Sequence, residues 1–235
     1  MTARNPAGRE DRSFIAEVPR PTVVVVDDDP MVRETLKDLL SSVGLRVVAF
    51  GSARELLSEL QPERTHCLVL DIRLPDRNGL ELQEELLRAN IALPVIFISG
   101  HADVRIAVRA MKAGAVDFLA KPFGEQEVLD AVQAAIRRDQ SRREVEAIVT
   151  ELQRHFHSLT AREQEMMAYV VSGRRNKEIA ASMGVTEITV KAHRIQVMKK
   201  MGVRSVAALI GIAQLLGHEH AQPTALIGKQ MSTPL

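Results

Sequence analysis

Tryptophan is absent from these 235 residues, tyrosine and cysteine occur once each, and aromatic residues make up only 3%. Intrinsic fluorescence will therefore report little. The single Cys67 excludes an internal disulfide and a cysteine-based metal site. Lying inside an apolar run, it reads as a buried strand residue. No apolar run approaches the ~20 residues needed to span a bilayer, and the polar start MTARNPAGREDR lacks the apolar core of a secretory signal. A cytoplasmic protein without membrane contact is expected. Internal repeats and low-complexity tracts are also missing. The seven histidines show no metal-ligand pattern: His155, His157, His218 and His220 are closely spaced, but they fall in linker and tail.

With 46% apolar and 26% charged residues, the chain suits two compact domains better than one. The formal net charge of +1 conceals an asymmetry. Residues 21–137 hold 13 basic and 18 acidic side chains, a net −5, whereas residues 155–217 hold 9 and 4, a net +5. A basic domain is a candidate for phosphate backbones, and clustered acid elsewhere suits a cation site.

Residues 1–20 are expected to form a flexible arm. Five short apolar runs follow, Val23 to Val26, Arg46 to Phe50, Cys67 to Leu70, Pro94 to Ile98 and Val116 to Leu119. Each precedes a helical pattern, over 30–43, 52–60, 79–89, 103–113 and 125–137. This is the cadence of βα units, and runs apolar throughout suit a parallel sheet covered on both faces. Gly44 and Gly114 stand where helix C-caps are expected. The first domain is thus expected over 21–137, as a doubly wound α/β sheet. Residues 138–157 are charge-dense and roughly helical, a linker or an extension of the fifth helix.

Four further helices are expected over 161–172, 177–183, 187–201 and 206–216, making an all-α domain over 158–217. Thr160 and Glu163 read as a capping box, Gly184 and Gly202 as helix ends, and Ser205 as the last N-cap. Residues 218–235 are expected to fray.

At the carboxyl ends of the strands the apolar runs give way to a set of polar residues. Asp27 and Asp28 end the first, Asp71 the third and Ser99 the fourth, while Lys121 follows the fifth. In an open parallel sheet those ends share one edge, where ligands bind. If the strand order is 2-1-3-4-5, Asp27, Asp28 and Asp71 converge. Three adjacent carboxylates repel one another unless a cation joins them, and Mg²⁺ suits hard oxygen donors. An aspartate there can be a nucleophile toward phosphorus, with Ser99 and Lys121 neutralising the phosphoryl oxygens.

VVVVDDDP, LDIRLPDRNGLEL, VIFISGHAD and AVDFLAKPF resemble the receiver domains of bacterial two-component response regulators. The resemblance spans roughly residues 22–137 and implies the order 2-1-3-4-5. It makes Asp71 the phosphoacceptor and Asp27, Asp28 and Asp71 the metal-binding acids, with the backbone carbonyl of Arg73 completing the shell. It also gives Ser99 and Lys121 phosphoryl contacts, makes Phe118 the switch aromatic, and implies a cis bond between Lys121 and Pro122. Ser99 stands where threonine is frequent and Phe118 where tyrosine is, so Phe118 can rotate inward but has no phenol to bond.

Helices 177–183 and 187–201, joined through Gly184, Val185 and Thr186, have helix-turn-helix spacing. On the second, Val190, Val197 and Met201 share a core-facing side. Ile188, Lys191, Ala192, Ile195, Gln196 and Lys199 face broadly outward, where lysine suits base acceptors or phosphates and aliphatics suit thymine methyls. The segment LTAREQEMMAYVVSGRRNKEIAASMGVTEITVKAHRIQVMKKMGV resembles LuxR-type DNA-binding domains, and the whole chain resembles the FixJ and NarL class. That resemblance turns Lys191, Ala192 and Ile195 toward bases and makes Asn176, Lys177, Thr186, Thr189, His193, Arg194 and Lys199 backbone contacts. His193 and Arg194 also face inward, where Arg194 could instead pair with Glu163. The apolar last helix, VAALIGIAQLL, is expected to meet a second copy on DNA. Val108 and Lys112 match a receiver dimer face.

The expected function is a phosphorylation-controlled transcription regulator. Its partners would be a sensor histidine kinase, a double-stranded operator and, when phosphorylated, a second copy, with room for an RNA polymerase contact. No enzymatic activity is expected beyond Mg²⁺-dependent self-phosphorylation and self-dephosphorylation. The alternatives are phosphorylation-independent DNA binding, a metal-dependent phosphohydrolase and an RNA-binding antiterminator. Asp-Ile-Arg lacks the second acid of an aspartate-nucleophile hydrolase, no substrate-cap insertion is present, and an antiterminator has no reason to carry this helix-turn-helix.

Overall fold

The computed structural model describes residues 20–100 and 103–217, so the expected arm and tail, with His218 and His220, lie outside the described residues. The chain divides into two units between Gln140 and Ser141.

The first unit alternates β1 (Thr22–Val26), α1 (Pro30–Ser42), β2 (Arg46–Phe50), α2 (Ala53–Glu59), β3 (Cys67–Asp71), α3 (Gly79–Arg88), β4 (Val95–Ser99), α4 (Val104–Lys112), β5 (Asp117–Ala120) and the first half of α5 (Glu125–His157), whose remaining residues belong to the second unit. The five strands are parallel in the order β2-β1-β3-β4-β5. Strand alternation sends Val23 and Val25 to one face, against Leu36 and Leu40 of α1 and Val128 and Val132 of α5. Val24 and Val26 go to the other, against Leu56, Leu82, Leu86 and Ala110 from α2, α3 and α4. Cys67 is fully buried in β3 as expected, and burial pushes its thiol far up, with the Asp139 charge adding to the effect.

The starts of α1 to α4 are marked chemically. Asp29 caps α1 through Met31 N–H with Pro30 next in line, Ser52 caps α2, Asn78 caps α3 and Asp103 caps α4. Gly44 and Gly114 take φ of +82° and +91° just past α1 and α4, a conformation glycine adopts without strain. The charge-dense segment after residue 137 continues α5 to His157.

The second unit contains α6 (Ala161–Val171), α7 (Asn176–Met183), α8 (Glu187–Lys200) and α9 (Val206–Leu215). Its core gathers Phe156 and Leu159 with Met166, Ile179, Val190, Val197, Met201 and Leu209. The Thr160 and Glu163 capping box forms in both directions, Ser205 caps α9, and Gly184 closes α7 at φ +64°. Among the described residues, no helix is long and apolar enough to cross a membrane.

Candidate functional site

The order β2-β1-β3 makes β1 and β3 neighbours, with Val26 opposite Leu70. The residues that follow this pair, Asp27 and Asp71, therefore leave the sheet side by side. Oxygens of Asp27, Asp28 and Asp71 all lie within 4.8 Å of one another. Asp27 is fully buried and Asp71 nearly so, while Asp28 is exposed at the mouth. Lys121 bridges them, its Nζ 2.5 Å from Asp27 Oδ2 and 2.5 Å from Asp71 Oδ2. Burial pushes the Asp27 carboxyl above the usual carboxylate range, despite the lysine bond. Burial opposes the Lys121 charge too, but the two carboxylates outweigh it and hold the ammonium above the ordinary lysine range. Three hard-oxygen acids at this separation fit a Mg²⁺ ion.

The other expected members are distributed as follows. Ser99 is buried at the end of β4, and its carbonyl accepts from Lys121 N–H at 2.8 Å. The Lys121–Pro122 peptide is cis. Arg73 N–H donates to Asp71 Oδ1 at 2.8 Å, placing the residue 73 backbone beside the Asp71 carboxylate. Phe118 is half-buried on β5 opposite Phe97. Val108 and Lys112 are exposed on α4, away from the acid cluster in sequence and in burial.

Two supporting residues escaped the sequence reading. Arg33 Nη1 donates to the carbonyls of Asp27 at 2.6 Å and Asp28 at 2.9 Å, pinning the loop that carries both acids. The DDDPMVR spacing, with an arginine one helical turn after the acids, was the available signal. Asp76, in the loop after Asp71, accepts from Arg54 N–H at 2.8 Å and Ala53 N–H at 3.2 Å, tying that loop to the start of α2. Slight burial pushes the Asp76 carboxyl up, but these amides and Arg77 outweigh it and hold it below the usual range. A lowered pKa contributes stability that is present above about pH 4 and lost as pH falls through the folded value. Asp76→Ala is expected to cost about 1 kcal/mol near neutrality and to flatten the acid limb of stability, measured by urea unfolding across pH with circular dichroism.

In the second unit, Thr186 caps α8 by accepting from Thr189 N–H at 3.2 Å. Opposite the buried Val190 and Val197, α8 exposes Ile188, Lys191, Ala192, Ile195, Gln196 and Lys199. Lys177 is exposed, Asn176 and Thr189 are half-buried. His193 and Arg194 are half-buried as well. The expected alternative partner of Arg194 is corrected: its Nη1 donates to Asn176 Oδ1 at 2.6 Å, while Glu163 pairs with Lys200 at 2.6 Å. Arg194 and Lys200 lie about 120° apart around the helix, so α6 meets only one of them. Asn176 and Arg194 thus spend polar groups on each other, locking α7 to α8.

Burial pushes Glu163 up, but Lys200 and the Thr160 bonds outweigh it and hold the carboxyl below the usual range. Lys200→Met removes that cation from a carboxylate left 10% exposed. The expected loss is about 1–2 kcal/mol, read as a lower urea midpoint of the second unit by circular dichroism, with Lys191→Met unchanged as the surface control.

Residues 23–133 match the family model described as response regulator receiver domain, and residues 157–213 match that of bacterial regulatory proteins, luxR family. Nodulation protein W of Bradyrhizobium diazoefficiens is 55% identical over 195 residues, which cover 83% of this chain and 86% of that protein. Transcriptional regulatory protein FixJ of Azorhizobium caulinodans is 40% identical over 195 residues, covering 83% and 92%. Among solved structures, the response regulator StyR matches with a TM-score of 0.73 and 45% identity over 83% of this chain and 98% of that one.

Proposed function

The chain belongs to the response regulators that join a receiver domain to a LuxR-type DNA-binding domain, and from that membership we propose that phosphorylation of Asp71 controls its binding to DNA. The observation that supports this most is the convergence of Asp27, Asp28 and Asp71, with Lys121 bonded to the first and last of them. The receiver occupies residues 21–137, the linker 138–157 and the DNA-binding domain 158–217.

An Asp71 carboxylate oxygen attacks the phosphorus of a kinase phosphohistidine. The new O–P bond forms as the P–N bond breaks, and the released imidazole takes up a proton. Lys121 lies within reach of the acceptor oxygen and neutralises charge gathering on the phosphoryl group, and the Ser99 hydroxyl supplies a donor there. Asp27, Asp28, Asp71 and the Arg73 carbonyl would hold Mg²⁺, which would supply charge neutralisation at the phosphoryl oxygens. Phe118 follows Ser99 toward the site and alters the α4 face bearing Val108 and Lys112, through which two receivers pair. A bistable surface of this kind turns a local charge into a global response.

Lys191, Ala192 and Ile195 face bases, while Asn176, Lys177, Thr186, Thr189, His193, Arg194 and Lys199 form the set proposed for the DNA backbone. The Asn176 and Arg194 bond makes that pair a brace for the surface as well. Pairing through α9 and contact with RNA polymerase complete the proposed assembly on DNA, in the cytoplasm.

The direct test is incubation of the full chain with Mg²⁺ and a small acyl phosphate, followed by borohydride trapping and peptide mapping. Label at Asp71 is expected. Label elsewhere, or none, would sink the reading and favour phosphorylation-independent DNA binding.

A further inference from the structure

The outward side of α8 carries an apolar strip along its first two turns, with Lys191 at its flank and Lys199 continuing its line one turn beyond Ile195. Ile188 is 79% exposed and Ile195 66% exposed, the exposed Ala192 lies between them, and Lys191 and Lys199 stand beside them. Around the helix, Ile188, Ala192 and Ile195 fall within about 60° of one another. Val190 and Val197 are fully buried on the opposite side, so the helix cannot rotate to hide the isoleucines. A single exposed aliphatic is ordinary, but two in register on the reading face of a helix-turn-helix leave an apolar strip unrelieved within its own unit.

We infer that this strip selects thymine: Ile188 and Ile195 each pack on a thymine C5-methyl in the major groove. That methyl is the one apolar group a base pair presents there. The two isoleucines are seven residues apart, about 10.5 Å along the axis. At about 3.4 Å per base step, their targets lie roughly three base pairs apart. Lys191, between them in sequence, reaches an acceptor on the intervening pairs, where guanine offers O6 and N7. The half-site is therefore a thymine-flanked core, with contacts that are shape and methyl recognition instead of arginine forks. This rests on the DNA-binding reading above and adds what that surface prefers.

The experiment is selection of duplexes from a pool with a randomised centre, using the full chain with Mg²⁺ and beryllofluoride. Each thymine of the selected duplex is then replaced by deoxyuridine, which removes only the methyl. Two thymines about three base pairs apart are expected to be enriched. Each replacement should weaken wild-type binding about fourfold, the effect of withholding one buried methyl. Ile195→Ser and Ile188→Ser, both surface changes, should each abolish the effect at one thymine and leave the other, while Lys191→Ala keeps both. Specific binding without methyl sensitivity would overturn the inference and assign the strip to a protein partner. Failure of the wild type to bind any duplex would overturn the DNA-binding reading together with it.

Discussion

Asp71→Asn is expected to leave the fold intact and to abolish the switch: with Mg²⁺ and beryllofluoride the wild type dimerises, and the variant sediments as a monomer. Asparagine keeps the shape of aspartate but has no carboxylate to form an acyl phosphate or to hold beryllofluoride. It also removes one of the two acids that share Lys121, which lowers repulsion at a buried cluster instead of adding to it. Unfolding is therefore not available as an explanation for lost function, and an unchanged urea midpoint by circular dichroism checks this. The DNA readout separates pairing from contact. On a duplex with one half-site the two proteins should bind alike, because the α8 surface is untouched. On two half-sites, the wild type gains by effective concentration, an advantage on the order of 10² or more, and Asp71→Asn gains none. Equal activation of both proteins by beryllofluoride would remove Asp71 from the mechanism.

The sheet was legible because its three inner strands are buried almost throughout and appear as apolar runs between turn residues, while the half-buried edge strands β2 and β5 keep a mostly apolar pattern. Errors were confined to single residues at the ends, as with Thr22 and Asp71, which pair in the sheet although one is hydroxylated and the other charged. The acid cluster was legible because its members are strand-terminal: once neighbours are fixed, side-chain proximity follows from chain position. The supports of that cluster were not. Arg33 bonds to backbone carbonyls, and every residue has one, so its place one turn after the acids was the sole hint of its role. Asp76 reaches amides more than twenty residues earlier in the chain, a contact created only by packing α2 beside the β3–α3 loop. The Arg194 partner failed for a related reason. Helical periodicity places a residue on the inward half of α8, but which neighbour lies on each flank depends on how α6 and α7 are arranged around it. The extension of α5 was ambiguous because a charged segment lacks the apolar stripe that distinguishes helix from linker.

Gly79 supplies the second large effect, and its cause is close approach instead of backbone conformation. A Cβ built there would stand 2.5 Å from the carbonyl oxygen of Asp71, and 3.2 Å from both Ile72 Cα and Leu70 Cγ. The nearest two atoms are backbone and cannot rotate aside. Nor can α3 back away cheaply, since Gly79 N–H donates to Ile72 O at 2.8 Å and Leu80, Leu82 and Leu86 are buried beneath the helix. Overpacking of a core costs about 1–3 kcal/mol where side chains can adjust, and backbone contact places this site at the upper end. Gly79→Ala is thus expected to lower the first unit's thermal midpoint by about 10 °C. The same methyl pushes on the peptide of Asp71, the proposed phosphoacceptor, so whatever shift relieves it moves Asp71 relative to Lys121 and Asp27. Labelling by acyl phosphate well below the melting point should fall at least about tenfold, a loss that stability alone does not produce. A variant that melts early yet labels at the wild-type rate would show that α3 yields and β3 does not; one that keeps both values would mean that the loop after Asp71 is far softer than its bonds to Arg73 and α2 imply.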